Sequence, residues 1–224
     1  MDNVEQIIQN IEKYNRVFTE TRKELSLKYN RNDSDARHTI FNKFLWAMTS
    51  TQLGLTFIMH HLNDPSWWTQ KVKVTNPEEI STYVNVFDLF LKTSFFNIIF
   101  TSIESSFRLY VRAIDSNSCS GGKTEFKNIY EYLLRKLELE RYIPLLDLLR
   151  NIRNSLHNNG LFMPISGKNS TIQYNDKEYN FVVGQPVKVS WKLIFDLMPE
   201  IKDIIVNVVE SEKMSSINEI SEIT

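Results

Sequence analysis

A single cysteine, Cys119, stands in a chain of 224 residues. No disulfide can form within the chain, which fits a reducing compartment. Metal-ligand spacing is missing too. His38 and the pair His60-His61 stand without a carboxylate or cysteine pattern that could complete a site. Charge of one sign is not in excess: 26 Lys and Arg oppose 27 Asp and Glu, giving a formal net charge of −1. That excludes a broad basic footprint, so any nucleic-acid contact must come from a local patch. Long apolar runs are scarce. Phe44–Asn63 carries no Asp, Glu, Lys or Arg, but its Thr, Ser, Gln and two His make it too polar to span a bilayer. Val84–Phe100 is richer in phenylalanine and is broken by Asp88, Lys92 and Asn97. The opening MDNVEQIIQNIEKYN is polar and acidic, without the apolar region of a signal peptide. There is no internal repeat and no low-complexity tract. A soluble, cytoplasmic protein without membrane contact is expected.

What is present is mostly helical periodicity. The length suits one domain, and a hydrophobic share of 42% supplies a core. Val4, Ile7, Ile8, Ile11, Tyr14 and Phe18 recur at helical spacing, which predicts a helix from about Asn3 to Tyr29. Ser34 or Asp35 can cap the next, a central helix ended by Asn63-Asp64-Pro65. Trp67 and Trp68 beside Lys71 and Lys73 have two readings: rings pinning a loop to the core, the commoner use, or a stacking platform for bases. Asn76-Pro77-Glu78-Glu79 opens a segment of one long helix or two, to about Ala113. On it Asn97, Glu104 and Arg108 share a stripe. Glu104 either pairs with Arg108 four residues on or orients a charge on another helix. Asp115–Lys123 reads as a loop. Its Gly-Gly-Lys-Thr ending is not a phosphate loop, because Asn117 stands where a glycine is needed and a helix precedes. Thr124 can cap a helix to about Leu139. After Gly160, Thr171–Tyr174 and Tyr179–Val183 predict a hairpin around Asn175-Asp176-Lys177. A final helix spans about Ser190 to Glu210, interrupted or bent near Pro199, and Ser211–Thr224 is expected to fray.

The stretch Arg141–Gly160 carries the chemistry. Pro144 sits in its first turn, and Asn158-Asn159-Gly160 stops it. Leu145, Leu149, Ile152 and Leu156 form an apolar stripe that must face inward. Arg150, Arg153 and His157 form a second stripe about 100° around the helix, joined by Leu146. Asp147, Asn151, Asn154 and Asn158 lie further round. Such a border stripe suits a cleft or a subunit interface. Arginine offers a fixed fork of donors to a phosphate, and histidine exchanges a proton near neutrality. The plainer reading is electrostatic: cations favour the negative end of a helix dipole.

Arg150-Asn151-Ile152-Arg153-Asn154-Ser155-Leu156-His157 resembles the signature of the HEPN superfamily. That signature is an arginine, often followed by a polar residue, then a histidine after four to six others near a helix end. Arg150 and His157 have six between them; Arg153 leaves only three. The resemblance implies a mainly α fold: a HEPN-like antiparallel helical bundle over residues 1–210, with a small C-terminal β-hairpin inserted at about 161–184, a final helix and a flexible tail, 211–224. It also implies a metal-independent endoribonuclease of a toxin or phage-defence type, needing no cofactor. The expected partners are RNA, a second copy of the chain and possible protein partners such as an antitoxin. His157 would be the general acid or base, Arg150 and Arg153 would hold the scissile phosphate, and Asn151 and Glu104 would orient them. Asn154 and Asn158 would touch substrate. The alternative within the same resemblance is a non-catalytic module binding RNA, nucleotide or a protein.

Overall fold

The computed structural model of the chain describes residues 3–118 and 124–221. Cys119 and residues 120–123 of the rejected phosphate-loop stretch lie outside them. The described fold is a mainly α-helical bundle with one antiparallel hairpin and trailing helices. Helix α1 is Val4–Tyr29; Asn3 caps it by accepting from the Glu5 N–H, and Asn30 ends it at φ 45°. Helix α2, Ala36–Phe57, is capped by Asp35 and passes into a wider turn, Ile58–Leu62. A short helix α3, Pro65–Trp67, follows. Trp68 is buried, and its indole N–H donates to the Leu62 carbonyl at 2.8 Å. This tryptophan pins the loop.

Helix α4, Pro77–Ile114, is unbroken over 38 residues, which answers the question of one helix or two. Asn76 caps it, Pro77 opens it, and no proline or glycine interrupts it. It runs antiparallel to α2: the Tyr110 hydroxyl donates to the Ala36 carbonyl, and Gly54 faces Leu91. A Cβ on Gly54 would lie 2.6 Å from a Leu91 methyl, so glycine permits the close approach. By length and composition α4 could cross a membrane, but it also supplies Phe95, Phe107 and Tyr110 to the innermost core.

Helix α5, Phe126–Lys136, begins one residue later than a Thr124 cap implies, with Glu125 at the cap position. A short turn, Glu140–Tyr142, leads into α6, Ile143–His157. The strands β1, Ser170–Tyr174, and β2, Lys177–Phe181, pair Tyr174 with Lys177 and Ser170 with Phe181. The second strand starts earlier than the alternation suggested. Asn175 and Asp176, both at positive φ, make a two-residue turn that frees Lys177 to pair.

Helix α7, Trp191–Glu210, is capped by Ser190 and runs through Pro199 without interruption. Proline lacks the N–H that would bond the carbonyl four residues back. That carbonyl, of Phe195, accepts instead from the Tyr14 hydroxyl at 2.9 Å. Tyr14→Phe is expected to lower stability by about 1–2 kcal/mol, because the Phe195 carbonyl loses its donor; urea unfolding measures it.

The expected frayed tail is corrected over residues 211–221. Helix α8, Glu212–Ser215, buries Met214, and Ile220 is buried as well. The cause lies at the start of α2. Fully buried Arg37 donates to the carbonyls of Met214, Ile217 and Asn218 while its fork grips Asp35. Asp35 accepts in turn from the Ile220 N–H at 3.1 Å. Burial pushes the Asp35 carboxyl up, but the Arg37 guanidinium and the N–H donors of Arg37 and Ile220 outweigh it and hold the group low.

His38 sits beside this clamp, fully buried, with neither ring nitrogen hydrogen-bonded among the described residues. Burial lowers its pKa from 6.5; Arg31 and Arg22 add to this, while Asp35 and Asp33 oppose it. Below pH 6.5 the unfolded chain therefore binds more protons than the folded one. The stability is fully present above that pH and is lost as pH falls toward the folded value. The expected slope is at most about 1.4 kcal/mol per pH unit. Thermal melts at pH 7.5, 6.5 and 5.5 test it, with His38→Gln expected to flatten the profile.

Candidate functional site

Helix α6 packs a wider face than the leucine stripe alone. Leu146, Leu148, Asn151 and Ser155 are buried with Leu145, Leu149 and Ile152, whereas Leu156 is only partly covered. This tilt leaves Arg150 and Arg153 half-exposed on one wall of a cleft of about 660 Å³. The opposite wall is the stretch 162–170, between α6 and β1. Phe100 and Glu104 of α4, Glu125 just before α5, and Phe126 and Lys127 of α5 complete the lining.

Each guanidinium is only partly engaged. Arg150 lies 3.4 Å from the Asp147 carboxylate through one terminal nitrogen. Arg153 donates to the Asn154 amide oxygen at 3.2 Å and stands over the Phe100 ring, 5.8 Å from its centroid. The Nε of both is buried and makes no hydrogen bond among the described residues. The donors open to an incoming anion are the incompletely engaged terminal nitrogens.

The other expected site residues divide. Glu104 lines the cleft, but its partner is Arg108, at 2.7 Å, which also donates to the Thr124 carbonyl. The local i, i+4 pair is therefore what forms, and the idea that Glu104 orients a charge on another helix is corrected. Asn151 is buried and donates to the Ser170 hydroxyl at 3.2 Å. It ties α6 to the hairpin and does not orient an arginine. Asn154 lines the cleft; Asn158 is exposed, outside the lining, and donates to the Asn154 carbonyl at the helix end. His157 is the last residue of α6, exposed, outside the cleft lining and without a hydrogen-bond partner among the described residues. So the structure gathers Arg150, Asn151, Arg153, Asn154 and Glu104, and leaves His157 and Asn158 on the rim side.

No family model, curated protein or solved structure matches this chain. The site is therefore read from its own chemistry. Asp147 emerges as the group that positions Arg150: it accepts from the Tyr130 hydroxyl at 2.6 Å and has Lys127 at 3.9 Å. Burial, and then the Asp147 charge, push the Tyr130 hydroxyl well up, so it stays a proton donor. Lys127 and Lys168 add positive charge to the cleft. Neither was visible as a site residue, because the contacts that collect them join different elements. Asp147 did carry a signal, three residues before Arg150 on the same helix. Among the described residues no group of three or more His, Cys, Asp or Glu could hold a metal ion.

Proposed function

We propose that this chain is a metal-independent endoribonuclease of the HEPN type, acting as a homodimer on single-stranded RNA. Arg150 and Arg153 hold the scissile phosphate and stabilise the charge that develops on it. The RNA 2′-oxygen bonds to phosphorus and the bond to the 5′-oxygen breaks. His157 takes the 2′ proton or supplies the one received by the 5′-oxygen. The products are a 2′,3′-cyclic phosphate and a 5′-hydroxyl. One observation carries the reading: two incompletely partnered guanidiniums on one wall of an open cleft, with the free His157 one turn beyond Arg153. The exposed His157 suits a composite site completed by a second copy. The signature-like spacing of Arg150 and His157 points the same way.

A second reading has its own support. Within one chain His157 does not line the cleft that holds the arginines. Such a cleft can bind RNA or nucleotide without turnover. Incubating end-labelled single-stranded RNA in EDTA separates the two. Cleavage to cyclic-phosphate ends by the wild type, lost in His157→Ala, is the expected result. Binding without cleavage favours the second reading, and activity only with added metal, or equal activity in both proteins, contradicts the first.

A further inference from the structure

Residues 162–166 and 168–170 line the same cleft as the arginines. Residues 162–170 form an arm that is fixed at its base and open at its tip. At the base, the Phe162 N–H donates to the Gln185 carbonyl, and the Phe162 carbonyl accepts from the Gly184 N–H. The Phe162 ring packs on Phe181 at 5.3 Å, and the Asn169 side chain accepts from the Val183 N–H at 2.9 Å. The tip is a tight turn in which the Gly167 N–H donates to the Pro164 carbonyl and Gly167 takes φ 63°. A turn held at both ends presents its side chains in a set direction. The side chains in question are apolar: Ile165 is fully exposed and Met163 is 54% exposed, and both line the cleft. Lys168 lies beside them.

We infer that this arm is a nucleobase subsite, in which Met163 and Ile165 cover the face of a base whose phosphate rests on Arg150 and Arg153. The inference rests on the phosphate-binding reading of the cleft and specifies its substrate as a nucleotide unit. Two features of the cleft favour a base. The apolar side chains share a cavity with cations, so a fitting occupant combines an anion with an apolar body. The cavity, about 660 Å³, falls in the range that encloses small ligands. Base-face contacts tolerate any sequence, because every base has a π-face. Lys168 and Lys127 at the cleft then attract the flanking phosphates.

The test uses an eight-residue 2′-fluoro oligo(A), which binds but offers no 2′-hydroxyl for attack. Fluorescence anisotropy gives its Kd for the wild type and for the double variant Met163→Ser/Ile165→Ser. Inorganic pyrophosphate as competitor reads the phosphate subsite alone. The variant is expected to bind the oligonucleotide about tenfold more weakly, on the scale of losing a base-face contact. Its affinity for pyrophosphate, melting temperature and mass in solution are expected to stay unchanged. Unchanged oligonucleotide affinity overturns the inference, as does an equal loss for pyrophosphate. A fall in oligomeric mass also overturns it, because it would assign the arm to a subunit contact. Failure of the wild type to bind either the oligonucleotide or pyrophosphate removes the phosphate-binding reading itself, whereas pyrophosphate binding without oligonucleotide binding overturns the base subsite alone.

Discussion

His157→Ala is expected to slow RNA cleavage by about 10²–10⁴-fold, the span for removing a general acid or base. Its RNA affinity is expected to change by less than about twofold, since the side chain lies outside the lining of the cleft that holds the arginines. Stability should move by less than about 0.5 kcal/mol, because the side chain is exposed and bonds to nothing among the described residues. Arg150→Ala differs in kind: it weakens both binding and turnover. In a composite site the two variants complement each other. Mixing His157→Ala protein with Arg150→Ala protein brings an intact arginine wall to an intact histidine and restores cleavage. A mixture as inactive as its components contradicts a shared cleft. A large loss of melting temperature in His157→Ala would assign the residue to helix-end electrostatics instead.

Arg37→Met is expected to be the most destabilising single change, at about 3–5 kcal/mol, the range for breaking a buried ion pair from one side. The substitution strands the Asp35 carboxylate, which is as buried as Arg37 itself, and takes the donor from three tail carbonyls. For a chain of this size that loss corresponds to a melting temperature lower by about 6–20 °C. Residues 211–221 should become the first site of limited proteolysis. Replacing both partners, as in Asp35→Asn/Arg37→Met, recovers part of the stability because no charge is left unpaired. A melting temperature within about 2 °C of wild type for Arg37→Met would show that the clamp does not hold the tail.

The residues that were legible in the sequence are those whose partners are close in the chain. Asn3, Asp35 and Asn76 each cap a helix through the N–H two positions on, so the helix starts could be read directly. The Arg150/Arg153 stripe follows from helical geometry alone. What escaped depends on distant partners. Arg37 reads as an ordinary first-turn cation until the carbonyls of Met214, Ile217 and Asn218 arrive some 180 residues later, and the tail between them looks merely polar. Of the two readings open for Glu104, the local one formed, because Arg108 four residues on satisfies it. Asn151 was assigned to the arginines through its place next to Arg150, yet its side chain points to Ser170 on the hairpin. In the arm at 162–170, Ser166-Gly167-Lys168-Asn169 signals the turn that forms, but the strand-like pattern of Phe162 and Ile165 gives no strand there, and nothing in the composition placed the arm beside α6.

The claim beneath both functional readings is that Arg150 and Arg153 bind an RNA phosphate. The salt dependence of oligoribonucleotide affinity tests it most directly, comparing wild type with Arg150→Ala/Arg153→Ala. The double variant is expected to bind at least about tenfold more weakly at low salt, with the slope of log K against log salt reduced by about 0.7 for the one phosphate no longer neutralised. Equal affinity and equal slope in the two proteins would contradict the account.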